Sequence, residues 1–361
     1  MKKLLFVSFV DFGRYESGSS VRPQQMEKAF SDLGYEMKLL SGAQNRRKER
    51  AQRVAEIILW LDGNRPDFCY IESPSGPIFT GADHRLLKTL KRLQIPTAYF
   101  YRDAFWLFPD WWGVSGLKRA ILTAMYRRDL RFIKSCCDIV YFPSQSMAEH
   151  FDFQDKRPLP PAGENRIIRR DTLFHNVIYV GGLSERYGTP ILLKAFDLLN
   201  RQFGQNISLT LVCRERERSI IGDRYLNQPW LHVETASGQE QLAPFYTRAD
   251  LGIYAGKRDL YMDFAVPVKL FEYISYGLPV VTTDCVEAKR IVEQGGFGAV
   301  CQDNADSMAC AILELYRDPE RLKRYAENAA YQLQSRNLWI HRAKQVGEDL
   351  ETYRGKGQEP L

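Results

Sequence analysis

A lysine and a glutamate three residues apart at the head of a helix can hold a nucleoside diphosphate. Lys269 and Glu272 stand at that spacing in the run PVKLFEYISYGLPVV, residues 267–281. Side chains at i and i+3 share a helix face. Backbone N–H groups of the opening turn and the Lys269 ammonium suit a diphosphate, while a carboxylate one turn further in accepts hydrogen bonds from a ribose diol. The combination fits a nucleotide-sugar donor. Read by itself the same spacing describes a surface ion pair worth about 0.2–0.5 kcal/mol, so its meaning depends on the elements around it.

Val268, Phe271 and Ile274 line one side of a predicted helix over 268–276, Gly277 closes it, and Pro279-Val280-Val281 opens a strand. The rest of the chain repeats this alternation. Strands are predicted over 3–10, 36–40, 68–71, 97–101 and 138–142, with helices over 22–33, 50–61, 82–93, 117–134 and 146–150. After the proline-rich stretch DKRPLPPAG at 155–163 the pattern restarts. Strands then fall at 175–182, 207–212, 231–234, 251–254, 279–282 and 298–301, and helices at 190–203, 239–247, 268–276, 287–294 and 305–317. Such spacing implies parallel sheets with right-handed crossovers. The expectation is an α/β chain of two Rossmann-like domains facing across a cleft, where ligands of such sheets bind. Its parts are a domain over 1–160, a second over 161–335, and a C-terminal helix over 336–361 that packs back toward the first domain and ends in a frayed tail.

Composition narrows the chemistry. The 361 residues are 45% hydrophobic and 26% charged, as in an ordinary globular protein. No apolar run approaches the ~18 residues that cross a bilayer, and the opening MKKLLFVSFVD breaks at Asp11 and reads as a first buried strand. Seven cysteines without a CxxC pair and five scattered histidines argue against a disulfide framework and a metal site, and fit a reducing cytoplasm. Residues 1–175 carry 28 Lys and Arg against 20 Asp and Glu, a net +8, so the overall +6 leaves the remainder at −2. A basic first half suits an anionic partner.

The second half resembles the donor-binding domain of a GT-B glycosyltransferase, and most of all the retaining group called family 4. The resemblance rests on five ordered pieces: VIYVGGLSERYG, PILLKAFDLL, LAPFYTRADLGIYAG, the PVKLFEYISYGLPVV run and EAKRIVEQGGFGAV. It is clearest over 176–318 and extends in architecture over nearly the whole chain. It implies that Glu272 binds the ribose and that Lys269 contacts the diphosphate, with backbone groups around Val266, Pro267 and Val268 and the turn glycines Gly181 and Gly182. The family's first acidic residue, eight places before the glutamate, is here Phe264, with Asp263 as the adjacent substitute. Its usual Arg and Lys places are Gly182 and Tyr187, with Arg186 beside the second. The activity implied is transfer of a sugar from a nucleotide diphosphate sugar to a hydroxyl acceptor on a glycan or lipid-linked saccharide, with retention and with neither metal nor cofactor. Lys269 and Arg186 would stabilise the departing diphosphate.

In the first half, residues 13–22 form a glycine-serine segment after the first strand. Gly18 and Ser19 in it, and Arg102 and Asp103 after the strand IPTAYFY, are acceptor-site residues on this reading, though the loop equally suits a plain strand-helix turn and Asp103 a helix cap; Glu72 ends another strand and suits a cap somewhat better than a contact. Asp103 would be the base if the enzyme inverted. Residues 105–112 gather Phe105, Trp106, Phe108, Trp111 and Trp112 ahead of a basic helix over 117–134, which suits the inner face of the cytoplasmic membrane as well as a core or a sugar platform. Arg46, Arg47, Lys48 and Arg50 read as a solvated run, not a nucleic-acid site, since no aromatics interleave them. Two other classes share this outline: a GT-B epimerase acting on a nucleotide sugar, and a non-catalytic partner of a glycosyltransferase.

Overall fold

The structure, a computed structural model, describes residues 2–12, 18–168 and 174–354. The described residues build two six-stranded sheets in which every pairing is parallel. The chain divides into two compact units, Met1–Pro160 with Trp339–Leu361, and Pro161–Leu338.

The first unit runs β1 (Lys3–Val7), α1 (Gly18–Asp32), β2 (Glu36–Leu40), α2 (Arg47–Gly63), β3 (Phe68–Glu72), α3 (Gly81–Arg92), β4 (Thr97–Phe100), α4 (Pro109–Trp112), α5 (Gly116–Cys136), β5 (Ile139–Phe142), α6 (Gln145–Glu149) and β6 (Lys156–Pro158). Its sheet order is β2-β1-β3-β4-β5-β6. β3, β4 and β5 are buried at every position, which is why they read as unbroken apolar runs: helices cover both faces of a parallel sheet.

Three sequence readings need correction here. The proline-rich stretch contains β6, an edge strand whose Pro158 sits where no further strand needs its N–H. Helix α1 starts at Gly18, so Gly18 and Ser19 belong to a helix and Pro23 lies inside it; residues 13–17 of the expected loop fall outside the described residues. Arg50, read as solvated, is 1% exposed. Its Nε donates to Asp83 Oδ1 at 2.9 Å and its Nη1 to the Ser8 carbonyl at 2.8 Å, tying α2 and α3 to the end of β1.

The second unit runs β7 (Asn176–Val180), α7 (Thr189–Asp197), β8 (Ser208–Cys213), α8 (Asp223–Leu226), β9 (Leu231–Thr235), α9 (Gln239–Arg248), β10 (Leu251–Tyr254), α10 (Leu260–Phe264), α11 (Val268–Ser275), β11 (Val280–Thr283), α12 (Val286–Gly295), β12 (Gly298–Cys301), α13 (Ala305–Arg317) and α14 (Pro319–Arg336). The last helix, α15 (Trp339–Glu351), returns to the first unit and packs on α1. Sheet order in the second unit is β12-β11-β10-β7-β8-β9. The chain winds one way from β7 to β9 and the other from β10 to β12. The switch between β7 and β10 is the place where a crevice opens beyond the strand ends.

Gly188 shapes that crevice. It has φ +70° and precedes α7, and a Cβ there would lie 1.7 Å from the Ala255 carbonyl oxygen just past β10. Only glycine lets the two strand-end segments approach so closely. Gly188→Ala is expected to lower the unfolding free energy by about 2–3 kcal/mol, measured by urea denaturation; unchanged stability would show that the two segments need not touch.

Candidate functional site

Helix α11 is seated by Tyr273. Its ring lies over Gly252 of β10, where a Cβ would come within 2.5 Å of the ring. Its buried hydroxyl donates to the Ile253 carbonyl at 2.9 Å and accepts the Val180 N–H at 3.2 Å. One oxygen therefore joins β7, β10 and α11 at the switch point. Burial holds this phenol well above its ordinary pKa, against the smaller opposing effect of the Val180 N–H. Leu270, Phe271, Tyr273 and Ile274 form the buried stripe. Val268, expected in that stripe, is 49% exposed instead, because the first helical position points away from the sheet.

Lys269 and Glu272 are both partly exposed and pair with each other at 2.6 Å, as their spacing requires. Glu272 Oε2 also accepts a hydrogen bond from the hydroxyl of Tyr246 on α9, whose ring stacks on Tyr276 at 4.9 Å. Pro267 precedes the helix, and its carbonyl accepts from Leu270 N–H at 3.2 Å, so the N–H groups of Val268 and Lys269 belong to the opening turn.

Beyond the same switch point lies a cavity of about 510 Å³ lined by Ser184, Glu185, Arg186, Tyr187, Lys257, Arg258 and Asp259. Its two walls are the turn after β7 and the segment after β10, held together by the Lys257 N–H donating to the Arg186 carbonyl at 3.0 Å. Gly181 continues β7, its N–H donating to the Val212 carbonyl at 3.1 Å, and the Gly182 carbonyl accepts from Tyr179 hydroxyl at 2.8 Å. Three cations, Arg186, Lys257 and Arg258, line this space. Lys257 pairs with Glu185 at 2.7 Å, which raises the lysine pKa and lowers that of the glutamate. Arg258 forms a two-pronged pair with Asp263 at 3.1 and 3.0 Å and reaches Asp284 at 3.5 Å, and the bond to Asp263 raises its pKa.

Asp263, expected as the substitute for the family's first acidic residue, is tied to the cation beside it. It binds Arg258 and accepts the Val286 N–H at 3.3 Å, so it orients a cation. Phe264, at the family's acidic place, is buried and packs edge-on against Tyr261 at 4.9 Å. Sequence reading passed over Lys257, Arg258, Tyr246 and Tyr273. The adjacent Lys-Arg at the end of a predicted strand, in GKRD, was the available signal for the first two.

In the first unit Arg102 and Asp103 follow β4, and the Arg102 N–H donates to Ser73 Oγ at 3.0 Å. Glu72 ends β3 fully buried. The aromatic segment divides. Trp106 is core, stacked on Tyr126 at 5.1 Å and donating to Tyr101 hydroxyl at 2.9 Å, whereas Trp111 and Trp112 are half-buried. Among the described residues no group of three or more His, Cys, Asp or Glu side chains could hold a metal ion, and no helix is long and apolar enough to cross a membrane.

Residues 175–318 match the family model described as glycosyl transferases group 1. Comparison with curated proteins gives no match. Similar solved structures include sucrose-phosphate synthase from Thermosynechococcus elongatus, with TM-score 0.68 and 14% identity over 98% of this chain and 99% of that one. HepE of Anabaena in complex with UDP-glucose gives 0.67 and 14% over 98% and 100%. The α,α-trehalose 6-phosphate synthase from Burkholderia multivorans gives 0.65 and 14% over 100% and 99%. At these identities the likeness is one of fold, the GT-B fold with its two Rossmann-like domains.

Tyr273→Phe removes both hydrogen bonds of the hydroxyl and leaves the Val180 N–H and Ile253 carbonyl buried. A loss of about 2–3 kcal/mol in unfolding free energy is expected, read by chemical denaturation; a loss below about 0.5 kcal/mol would mean that packing alone seats α11.

Proposed function

We propose that this chain, whose second unit carries a glycosyl transferases group 1 domain, moves a sugar from a nucleoside diphosphate sugar to a hydroxyl of a glycan or lipid-linked acceptor. The reading is supported by a cation-lined cavity beyond the switch point of β7 and β10 and by the Lys269–Glu272 pair on α11, the helix that Tyr273 seats on those two strands. Glu272 takes the ribose hydroxyls, with Tyr246 holding the carboxylate in place. The diphosphate lies toward Arg186, Lys257, Arg258 and Lys269, the N–H groups of the opening turn of α11, and the turn at Gly181 and Gly182.

As the bond between the anomeric carbon and the phosphate oxygen breaks, negative charge grows on the diphosphate, and fixed cations stabilise it there. Each of Lys257, Arg258 and Lys269 already has a carboxylate partner in the protein, which holds it in place before a donor arrives. The reading extends to transfer with retention, the leaving phosphate taking the acceptor proton, and to independence of metal ions and cofactors. Asp103 and Arg102, with the start of α1 at Gly18 and Ser19, would serve the acceptor. A non-catalytic role draws its support from the uncharged Gly182 and Tyr187, but Lys257 and Arg258 return two cations to the same crevice.

The acceptor unit also offers a surface for an anionic bilayer at the cytoplasmic membrane face. Arg119, Arg127 and Arg131 share one side of α5 with Gly116, Ala120, Thr123 and Ala124 along a groove of about 610 Å³, and Leu117 and Ile121 are exposed nearby on the same helix.

Titration calorimetry with UDP, and with GDP, ADP and dTDP as alternatives, tests the donor site. Glu272→Ala and Arg258→Gln are each expected to weaken the bound nucleotide about 10- to 100-fold, and transfer should persist in EDTA. Failure of all four nucleotides to bind would overturn the reading. Sedimentation with vesicles containing anionic lipid should show binding that Arg127→Glu with Arg131→Glu abolishes; equal binding by that variant would remove the membrane surface.

A further inference from the structure

The first unit gathers arginines at the carboxyl end of β3. Arg22 on α1, Arg102 after β4 and Arg342 on α15 form one connected group around the carboxylate of Glu72 at the end of β3. Arg22 Nε donates to Glu72 Oε1 at 3.0 Å, and Tyr70 hydroxyl donates to the same oxygen at 2.6 Å. Arg22 Nη1 and Arg342 Nε both donate to the Pro160 carbonyl, at 3.4 and 3.0 Å. Arg22 also lies over the Phe100 ring at 3.5 Å. Arg102 stands on the other side of Glu72, its Nη2 3.9 Å from Oε2, too far for a hydrogen bond.

Glu72 is fully buried, and the side chains of Arg22 and Arg102 are 10% and 12% exposed. Arg102 Nη1 and Nη2 and Glu72 Oε2 are buried without a hydrogen-bond partner among the described residues. A buried guanidinium with both terminal nitrogens idle is costly unless an anion completes it. The crowding is felt within the group: burial first, and then Arg22, pushes Arg342 down to about 9. Glu72 Oε1 is shared by Arg22 and Tyr70, and Oε2 stands 3.9 Å from Arg102 Nη2, so Glu72 faces Arg102 with charge and no hydrogen bond. The planar fork of Arg102 matches two oxygens of a phosphate or a carboxylate, and it lies at the carboxyl end of a parallel strand, where such folds bind ligands.

We propose that Arg102, with Arg22 and Arg342 behind it, is an oxyanion-binding subsite of the first unit, and that it takes a phosphate or carboxylate group carried by the acceptor. The subsite stands on these residues alone; its assignment to the acceptor rests on the transferase reading. Glu72 is then a positioning residue that holds Arg22 and leaves Arg102 charged and unspent.

The test is thermal unfolding of the full chain in inorganic phosphate and, separately, in acetate, at constant ionic strength, with UDP titrated in parallel. Phosphate, acetate or both should raise the Tm of the native sequence by about 2–4 °C near saturation. The anion that does so identifies the group recognised. Measured in an Arg258→Gln background, which weakens uptake of phosphate by the cation-lined cavity of the second unit, the rise should remain while Arg102 is present and be lost on Arg102→Gln. Without added anion, Arg102→Gln should unfold no lower than the native sequence, because it removes a buried guanidinium whose terminal nitrogens are idle. No rise with either anion, a rise that survives Arg102→Gln, or an anion-free Tm lowered in that variant would each overturn the subsite, the last by making Arg102 a structural partner of Glu72. Should UDP fail to bind while the Arg102-dependent rise remains, the donor reading falls and the subsite stands. Should UDP bind without that rise, the subsite falls and the donor reading stands.

Discussion

A single buried phenol, that of Tyr273, sets the geometry of the second unit's crevice. Its oxygen donates to β10 through Ile253 and accepts from β7 through Val180, so the two strands at which the sheet reverses direction are clamped by a side chain from α11. The clamp works only because Gly252 beneath it has no side chain. Lys269 and Glu272, on the same short helix, inherit their position from this seat. Four and one residues before Tyr273, they cannot move without disturbing two strands. A residue type that looks like packing in the sequence is the fixed point from which the polar residues are aimed.

The two units handle charge in opposite ways. In the second, Lys257, Arg258 and Lys269 are partly exposed and each is matched by a carboxylate on the protein. Exposed pairs of this kind contribute little to stability and cost little to break, so exchanging these carboxylates for another anion would cost the fold little. In the first unit the charges are interior. Arg50 with Asp83, and His84 with Asp129, are buried and hydrogen-bonded into backbone turns at Ser8 and Ile78. These are structural ties. The group around Glu72 differs from them because its donors outnumber its acceptors.

Much of this was legible from residues alone, for identifiable reasons. Parallel strands buried on both faces announce themselves as apolar runs, so the alternation and both sheets could be read; the run from Pro267 to Val281 could be read because a glycine-closed helix and a buried strand follow in fixed register. What escaped depended on tertiary contact. Arg50 sits among four charged neighbours and looked solvated, yet the turn of α2 aims it alone inward against Phe9 at 4.3 Å. Tyr246 lies 26 positions from Glu272, and no local pattern links them. Asp263 pairs with Arg258, which sits five residues upstream on the far side of the turn that α10 makes. The aromatic cluster looked uniform and is not, because Trp106 is buried and stacks flat on Tyr126 while Trp112, half-buried, meets the same ring edge-on.

The two walls of the second unit's cavity differ in charge for a physical reason. Gly182 cannot carry a cation, and its backbone is overlain by the Tyr187 ring, which would lie 3.2 Å from a Cβ placed there. A long basic side chain at 182 would have to displace that ring, so the turn after β7 is a close-packed glycine and tyrosine. The segment after β10 runs along the other wall of the same cavity and contains Lys257 and Arg258. Charge acts by where it stands in space, and not by which loop carries it. The two-pronged pair with Asp263 holds Arg258 against this wall, and the next residue, Phe264, turns into the core.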